Sequence, residues 1–281
     1  TDAHGDSSTA TFTATISGTN DAVLAVTDNL TTDEHTDLAF NLMDNDQAFD
    51  GNKVVTDVNA DSNNVGQAIS GSNGGLFTIN ADGSSTFDQN GEFESLTQNE
   101  EVVTTVEYTV TGYNGENSTT TVSITVTGLN EAPIAVNDIA TIDAGNDEWV
   151  AGFDNKPLIT SNDTDIDGDG SLMLVSAVNG TDLNGASSIT VAGDNGGTFL
   201  VDLYGFVKLD TSSGFEALNT GDTVDTAFTY TITDNFGASS TATFTATING
   251  VNDSPDATND NFTVEIGSDN TLPSNLLAND T

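Results

Sequence analysis

The sequence predicts an all-β protein built of tandem β-sandwich modules, and three observations support this fold class. Apolar residues alternate with polar ones, as at Val106, Tyr108 and Val110, which is the pattern of half-buried strands. One segment recurs along the chain at a spacing typical of a small domain. No stretch of helical length carries an apolar stripe with a period of 3.6 residues. Many short antiparallel strands of this kind suit two packed sheets with Greek-key connections.

The recurring segment divides the chain into modules. Residues 1–21 match residues 233–253 at 16 of 21 positions, and residues 108–131 are a weaker third copy. Each copy ends in G-x-N-D/E, and these ends are 110 and 122 residues apart, so the second full module is the longer one. The predicted domains are the last hairpin of a preceding module (1–21), module 1 (22–131), module 2 (132–253) and the first strands of a following module (254–281).

Further alternating runs predict strands throughout these modules, with NGG, DG and NG turn signals between them. The extra length of module 2 is expected as an insertion before residue 190, which would contain Trp149. The alternating runs with the clearest period of two are Phe12, Ala14 and Ile16; Val122, Ile124 and Val126; Phe228, Tyr230 and Ile232; and Phe244, Ala246 and Ile248.

The charge balance excludes several classes of partner. The chain has 44 Asp and Glu against three Lys and no Arg, for a formal net charge of −41, so no nucleic acid or anionic membrane partner is expected. Such a charge destabilises a compact state by self-repulsion unless cations offset it. A solvated acidic surface in salty water is one solution, but the clustering of the acids in loops favours specific divalent cations. No run of 18 apolar residues exists, so membrane insertion is not expected.

The most specific acidic motif is the run Asp163, Asp165, Asp167 and Asp169, in which every second residue is a carboxylate and which includes Gly168 and is followed by Gly170. Alternate carboxylates in a Gly-bearing loop can converge on one hard cation, and Ca²⁺ takes about 6–8 oxygen ligands. The spacing copies the first half of an EF-hand loop, but Leu174 stands where its bidentate Glu would be. We therefore expect a Ca²⁺ loop that is not an EF-hand; the alternative is a solvated acidic turn.

Module 1 has a sparser version of this loop, formed by Asp44, Asp46 and Asp50, for which the solvated turn is a closer competitor. The pair Asn279 and Asp280 resembles the start of a third copy. Both observations indicate that the acidic loop belongs to the repeating unit rather than to one module.

Acids and amides at the module boundaries form a second candidate set. A cation held there would resist bending, because any hinge motion would separate its ligands. The alternative is that these side chains cap turns in a flexible linker. The boundary sets are Asn20, Asp21 and Asp28; Asn130, Glu131 and Asp138; and Asn252, Asp253 and Asp260.

Two segments carry a resemblance to a known family: FESLTQNEEVVTTVEYTVT (93–111) and FEALNTGDTVDTAFTYTITD (215–234). Each is followed by a Gly, a Thr-rich strand and G-x-N-D/E, and together with the boundary motif they resemble the VCBS and cadherin-like repeats of large RTX adhesins. The chain departs from the pattern at Val23, which stands where the other boundaries have Pro133 and Pro255.

The resemblance implies Ig-like or cadherin-like Greek-key sandwiches and an extender segment at the bacterial cell surface, exported by type I secretion. It also implies Ca²⁺ at module junctions, neighbouring modules as partners, and a cell-surface or glycan target bound through other regions.

Other functions have less support. Two isolated histidines (His4 and His35), no Cys and no G-x-S-x-G or phosphate-binding loop make an enzyme improbable. A carbohydrate-binding module remains an alternative, and it predicts an exposed aromatic cluster around Trp149, near Phe153. A fibre subunit that polymerises by β-strand complementation is a second alternative, because the chain begins with a last hairpin and ends with first strands.

Overall fold

The structure is a computed structural model, and its described part forms 17 strands in four sheets. Two compact units are present, Thr1–Asn130 (unit 1) and Glu131–Thr281 (unit 2). Among the described residues, no helix is both long enough and apolar enough to span a lipid bilayer. The described residues are 1–153, 155–167, 173–252, 257–261, 275, 277–278 and 280.

Unit 1 is a sandwich of two four-stranded sheets, ordered β1-β8-β7-β3 and β2-β6-β5-β4. Strands β7 and β8 form a long antiparallel hairpin, while β1 runs parallel to β8. Two short 3₁₀ helices, Leu42–Asp44 and Ser62–Asn64, interrupt the loops. The strands are β1 (Asp28–Asp33), β2 (Leu38–Asn41), β3 (Val54–Val58), β4 (Ala68–Ser70), β5 (Leu76–Ile79), β6 (Ser84–Asp88), β7 (Glu101–Thr111) and β8 (Asn117–Thr127).

Unit 2 repeats this topology with sheets ordered β9-β17-β16-β11-β12 and β10-β15-β14-β13. Unit 2 differs from unit 1 by one extra short strand, β12, at the edge of its first sheet. As in unit 1, the first strand, β9, runs parallel to the last strand, β17. The strands are β9 (Asp138–Asp143), β10 (Asp147–Ala151), β11 (Leu174–Val178), β12 (Thr181–Asp182), β13 (Ser188–Ala192), β14 (Thr198–Asp202), β15 (Val207–Asp210), β16 (Thr223–Thr233) and β17 (Ser239–Asn249).

Each unit has its own core, to which both of its sheets contribute. In unit 2, Phe199 of one sheet packs against Phe228 and Phe244 of the other, with ring centroids 4.8 Å and 6.0 Å apart. In β16, Phe228, Tyr230 and Ile232 are buried and the alternate Thr residues are more exposed. The period-two prediction and the all-β sandwich class are confirmed.

Residues 1–21 differ from the prediction, because the alternating run at Phe12 and Ile16 forms no strand. Both side chains are more than 90% exposed, whereas their counterparts in the repeat, Phe244 and Ile248, are fully buried in β17. Strand β17 receives hydrogen bonds from a neighbour on each side, and residues 1–21 pair with no strand in the described part of the chain. The same sequence is therefore a strand only where neighbouring strands satisfy its backbone.

Trp149 is also placed differently from the prediction. It lies on β10, which occupies the same place in its sheet as β2 does in unit 1, so it is not part of an insertion. The additional length of unit 2 falls after Trp149, in residues 152–173 between β10 and β11; the corresponding link in unit 1 is residues 42–53.

Candidate metal sites

A buried tyrosine in unit 2 joins two of the predicted ligands. The hydroxyl of Tyr230 donates to Asp138 Oδ2 at 2.7 Å and lies 2.9 Å and 3.1 Å from the carbonyl oxygens of Val136 and Ile159. Asp163, on the next loop, accepts the N–H of Val136 at 2.7 Å through Oδ1. Asp163 is buried, and its Oδ2 has no hydrogen-bond partner in the described part of the chain. Tyr230 has one hydroxyl proton to donate, whereas several acceptor oxygens surround it.

The environment of these groups changes their protonation. Burial raises the pKa of Asp138 to about 6; the hydrogen bond from Tyr230 opposes this rise, and the nearby charge of Asp163 adds to it. Burial also raises the pKa of Asp163, and the hydrogen bond from the N–H of Val136 and the nearby Tyr230 hydroxyl oppose this rise. Burial and the bond to Asp138 raise the pKa of Tyr230, which keeps it a proton donor. Both carboxylates are therefore costly to ionise without a cation.

Unit 1 contains the same arrangement around Tyr108. Its hydroxyl donates to Asp28 Oδ2 at 2.7 Å, and the N–H of Val26 donates to Asp46 Oδ1 at 2.7 Å. Asp46 is buried, its Oδ2 has no partner among the described residues, and burial raises the pKa of both acids. Unlike unit 2, this cluster has an ammonium beside it: Lys53 donates to the carbonyl oxygen of Asp46 and lowers the pKa of its carboxyl.

The side chains of the acidic run in unit 2 contact different groups. Asp163 turns into the tyrosine cluster, while Asp167, four residues later, accepts the N–H of Glu131 at 3.1 Å through Oδ2. Asp165 accepts the N–H of Asp167 at 3.3 Å. Asp167 is only 3% exposed, and its Oδ1 has no hydrogen-bond partner among the described residues. This carboxylate lies beside the first residue of unit 2.

Unit 1 repeats this edge arrangement too. Asp50, four residues after Asp46, accepts the N–H of Asp21, as Asp167 accepts that of Glu131. The amide of Asn114 donates to Asn20 Oδ1 beside it. The boundary residues 20 and 21 and the acidic loop, predicted as separate sets, therefore meet at one edge of the unit.

The remaining predicted ligands are less well placed. Asp44 and Asp260 are exposed, Asn252 is exposed at the end of unit 2, and Asn130 is half-buried at the end of unit 1. Asp280 accepts the N–H of Thr258 at 2.8 Å, the same bond that Asp46 and Asp163 make in the two units. The predictions for Asp169, Asp253 and Asn279 fall outside the described residues.

Sequence reasoning missed two kinds of residue at these sites. Tyr108 and Tyr230 were assigned to the core, and their hydroxyl partners carried no sequence signal. Glu34, fully buried after β1, accepts the N–H of Leu129 at 2.5 Å through Oε1 at the end of unit 1. It sits among several acids in the sequence, so nothing in the pattern distinguishes it.

The donor set matches a hard divalent cation. The acceptor atoms at these sites are carboxylate, amide or carbonyl oxygens, and among the described residues Asp46, Asp163 and Asp167 each have one buried carboxylate oxygen with no hydrogen-bond partner. Within either unit taken by itself, no three acidic or His ligand atoms of the described residues lie within 4.8 Å of one another. Any ion there would draw further ligands from backbone carbonyls or water, as Ca²⁺ commonly does.

Comparison with known families gives one match for each unit. Residues 20–128 match the family profile described as a bacterial cadherin-like domain, and residues 130–247 match that described as a bacterial Ig domain. Unit by unit, the chain is thus similar to a bacterial cadherin-like domain followed by a bacterial Ig domain. This confirms the resemblance predicted from the sequence. Such modules are typically non-catalytic and point to an extracellular, adhesion-type structural role.

Among the solved structures that match the chain are cadherin fragments. They include Drosophila N-cadherin EC1-4 (14% identity, TM-score 0.45, 83% of this chain and 51% of that one) and human mucin-like protocadherin EC1-2 (13%, 0.42, 79% and 96%). Mouse cadherin-23 EC22-24 is a third, with 12% identity and a TM-score of 0.40 over 82% of this chain and 64% of that one. The chain thus spans about half the length of the N-cadherin fragment. No curated protein matches the sequence.

Proposed function

We propose that this chain is a Ca²⁺-stiffened extender segment of a secreted bacterial surface adhesin, which projects a distal binding region from the cell. The observation that carries the proposal is Asp167, a buried carboxylate with one oxygen bound to the N–H of Glu131 and the other without a hydrogen-bond partner in the described part of the chain. The same contact recurs in unit 1 between Asp50 and Asp21.

In the part of the chain that the structure describes, no lysine lies at Asp167. The three lysines are engaged elsewhere: Lys53 at the carbonyl oxygens of Met43 and Asp46, Lys156 at that of Trp149, and Lys208 at Asp147. Burying a carboxylate without a counter-charge costs several kcal/mol. A cation from the medium is therefore the group that offsets the cost, and the oxygen-only surroundings favour Ca²⁺.

An ion at this place would act on the module boundary. Asp167 belongs to the loop after β10, whereas Glu131 is the first residue of unit 2, so a shared ion ties the loop to the backbone at the point where unit 1 ends. Fixing the backbone of one residue costs about 1–2 kcal/mol of free energy through lost conformational entropy, and the binding of the ion would offset this cost. Repetition of the contact in unit 1 would make each module stiffen its own boundary.

Weak binding suits an exported protein. Extracellular Ca²⁺ modules bind with dissociation constants of about 10⁻⁴ to 10⁻³ M, so such a site stays empty at cytoplasmic Ca²⁺ and fills outside the cell. In the proposal, the chain leaves the cell by type I secretion unligated and becomes rigid at the surface. Its partners are the neighbouring modules of the same protein, and it is not an enzyme.

The test is Ca²⁺-dependent unfolding of wild-type protein and of Asp167→Asn. Trp149 is the sole tryptophan and lies in unit 2, so its fluorescence reports the unfolding of that unit. With about 10 mM Ca²⁺ and the affinities above, binding adds about 1.4–2.7 kcal/mol to the free energy of unfolding. This corresponds to a rise in Tm of about 5–10 °C over EGTA at constant ionic strength.

Asp167→Asn should lose most of this rise, and the exposed Asp182→Asn is the matched control that should keep it. Small-angle scattering of the wild type should show a longer, less flexible particle in Ca²⁺ than in EGTA. An unchanged Tm and an unchanged scattering curve would refute the proposal. A normal Ca²⁺ response in Asp167→Asn would refute the assignment of the ligand.

A further inference from the structure

We propose that the outer face of the β10-β15-β14-β13 sheet binds an uncharged carbohydrate on a platform of three aromatic rings, Trp149, Phe153 and Phe206. This activity is separate from the extender function and does not depend on it. Such a site would let a spacer module contact glycans along its length.

The three rings pack against each other into one platform. The ring centroids of Trp149 and Phe153 are 4.5 Å apart, those of Phe153 and Phe206 are 4.9 Å apart, and Trp149 meets Phe206 edge-on at 6.3 Å. Phe153 is 45% exposed, and Trp149 and Phe206 are half-buried. The rings therefore form a partly solvent-facing apolar surface, the kind of patch that marks a binding site.

The backbone is shaped to hold this platform. Gly152 has a φ of +86°, and a Cβ there would lie 2.2 Å from the ring of Phe206, so the ring packs directly over the glycine. The N–H of Gly152 lies within hydrogen-bond distance of the carbonyl oxygens of Lys156 and Pro157, and the ammonium of Lys156 donates to the carbonyl oxygen of Trp149 at 2.7 Å. The turn that carries Phe153 is thus tied to β10.

The sandwich itself does not require an aromatic residue at the position of Trp149. In unit 2, Trp149 lies opposite Lys208, which lies opposite Leu200 on β14. The corresponding residues on the same sheet of unit 1 are Ala39 and Thr86, which pair with each other on β2 and β6. Unit 1 folds with small side chains at these two positions, so the ring of Trp149 is specific to unit 2.

Polar groups flank the platform in matched pairs. Lys208 binds Asp147 at 2.6 Å, and Lys156 lies 3.9 Å from Glu148. The side chains of all four are between about a third and a half exposed, so both donors and acceptors remain accessible. Two of the three lysines of the chain are here, and they offset much of the acidic charge of Asp147, Glu148 and the neighbouring Asp210 on a protein of net charge −41.

This charge pattern favours an uncharged ligand. A polyanion, an acidic glycan or a second copy of this chain would be repelled by the surrounding field. An uncharged sugar is not repelled, its C–H face can lie on an aromatic ring, and its hydroxyls both donate and accept hydrogen bonds. Exposed rings with a few positioned polar groups fit that chemistry.

The experiment titrates the intact protein with cellohexaose, maltohexaose, chitohexaose and mannohexaose, and with an anionic alginate hexamer as comparator. The emission of Trp149 reports directly from the platform, and calorimetry gives an independent dissociation constant. We expect at least one uncharged oligosaccharide to shift the emission and to give a binding isotherm.

Two variants locate the site. Phe153→Ala removes an exposed ring, and Asp147→Asn alters a flanking acceptor without touching the rings; each should weaken binding about tenfold. Phe49→Ala, a 68% exposed ring of unit 1, is the matched control and should bind as the wild type does. Urea unfolding of each variant checks that unit 2 is folded.

The proposal is overturned if none of the uncharged oligosaccharides binds, or if only the alginate hexamer binds. It is also overturned if folded Phe153→Ala and Asp147→Asn both bind with wild-type affinity, because the sugar would then lie elsewhere.

Discussion

Replacement of Asp138 by Asn should make unit 2 more stable at neutral pH but not at acidic pH. Asp138 is held against Tyr230 and near the charge of Asp163, and burial raises its pKa from the ordinary value of 3.8 to about 6. A folded state with a raised carboxyl pKa binds the proton more tightly than the unfolded chain does. The contribution of the protonated group to stability is complete below pH 3.8 and is lost as the pH rises to about 6.

The size of the effect follows from the two pKa values. One pKa unit corresponds to about 1.4 kcal/mol, so a rise from 3.8 to about 6 corresponds to at most about 3 kcal/mol. Partial solvent exposure of Asp138 screens part of this, which leaves about 1–2 kcal/mol. Asn carries no charge and its amide oxygen can still accept the Tyr230 hydroxyl, so Asp138→Asn avoids the cost at neutral pH.

Urea unfolding followed by Trp149 fluorescence in EGTA measures this in unit 2 alone. The free energy of unfolding of Asp138→Asn minus that of wild type should rise by about 1–2 kcal/mol from about pH 3.5 to pH 7 and then stay level. Asp182→Asn, on exposed β12, is the control and should show no such change. If the curves of wild type and Asp138→Asn run parallel over this range, Asp138 is not the titrating group and the reasoning fails.

Two further predictions concern groups buried in unit 2. Tyr230→Phe should cost about 1–3 kcal/mol of unfolding free energy, because Asp138 and two carbonyl oxygens lose their common donor; an effect under about 0.5 kcal/mol in the same urea assay would contradict this. Gly193→Ala should cost about 1–3 kcal/mol, since a Cβ there would lie 2.0 Å from Thr226 Oγ1. Adding Thr226→Ala should recover part of that loss, and strictly additive costs would show that the clash is not the cause.

The sequence was sufficient for the fold because its signals are local and repeated. The alternation at Phe228, Tyr230 and Ile232 required one buried face, and β16 has it. The same signal was wrong at Phe12 and Ile16, where the residues match β17 but no neighbouring strand supplies hydrogen bonds. An alternation of apolar and polar residues shows which side chains can be buried. Whether they are buried depends on whether a neighbouring strand pairs with the segment.

The candidate site was only partly predictable. The identity of the acids in the run was visible, but not that Asp163 and Asp167 serve different groups, because their directions depend on irregular loop torsions. The donors were not visible either, since Val136 and Glu131 contribute backbone N–H groups and Tyr230 reads as an ordinary core residue. The same contacts recur in unit 1, and the sequence did not predict this because the acidic residues of its loop are fewer.

The parallel pairing of first and last strands determines how each module responds to tension. The chain enters unit 1 through β1 and leaves through β8, and these strands are parallel neighbours in register from Asp28 with Val122 to Asp33 with Thr127. Strands β9 and β17 repeat this in unit 2. Pulling on the two ends of a module slides one strand along the other, so the hydrogen bonds between them bear the load together and do not open one after another. In the extender role proposed above, this geometry would give each module resistance to fluid shear with or without a bound ion.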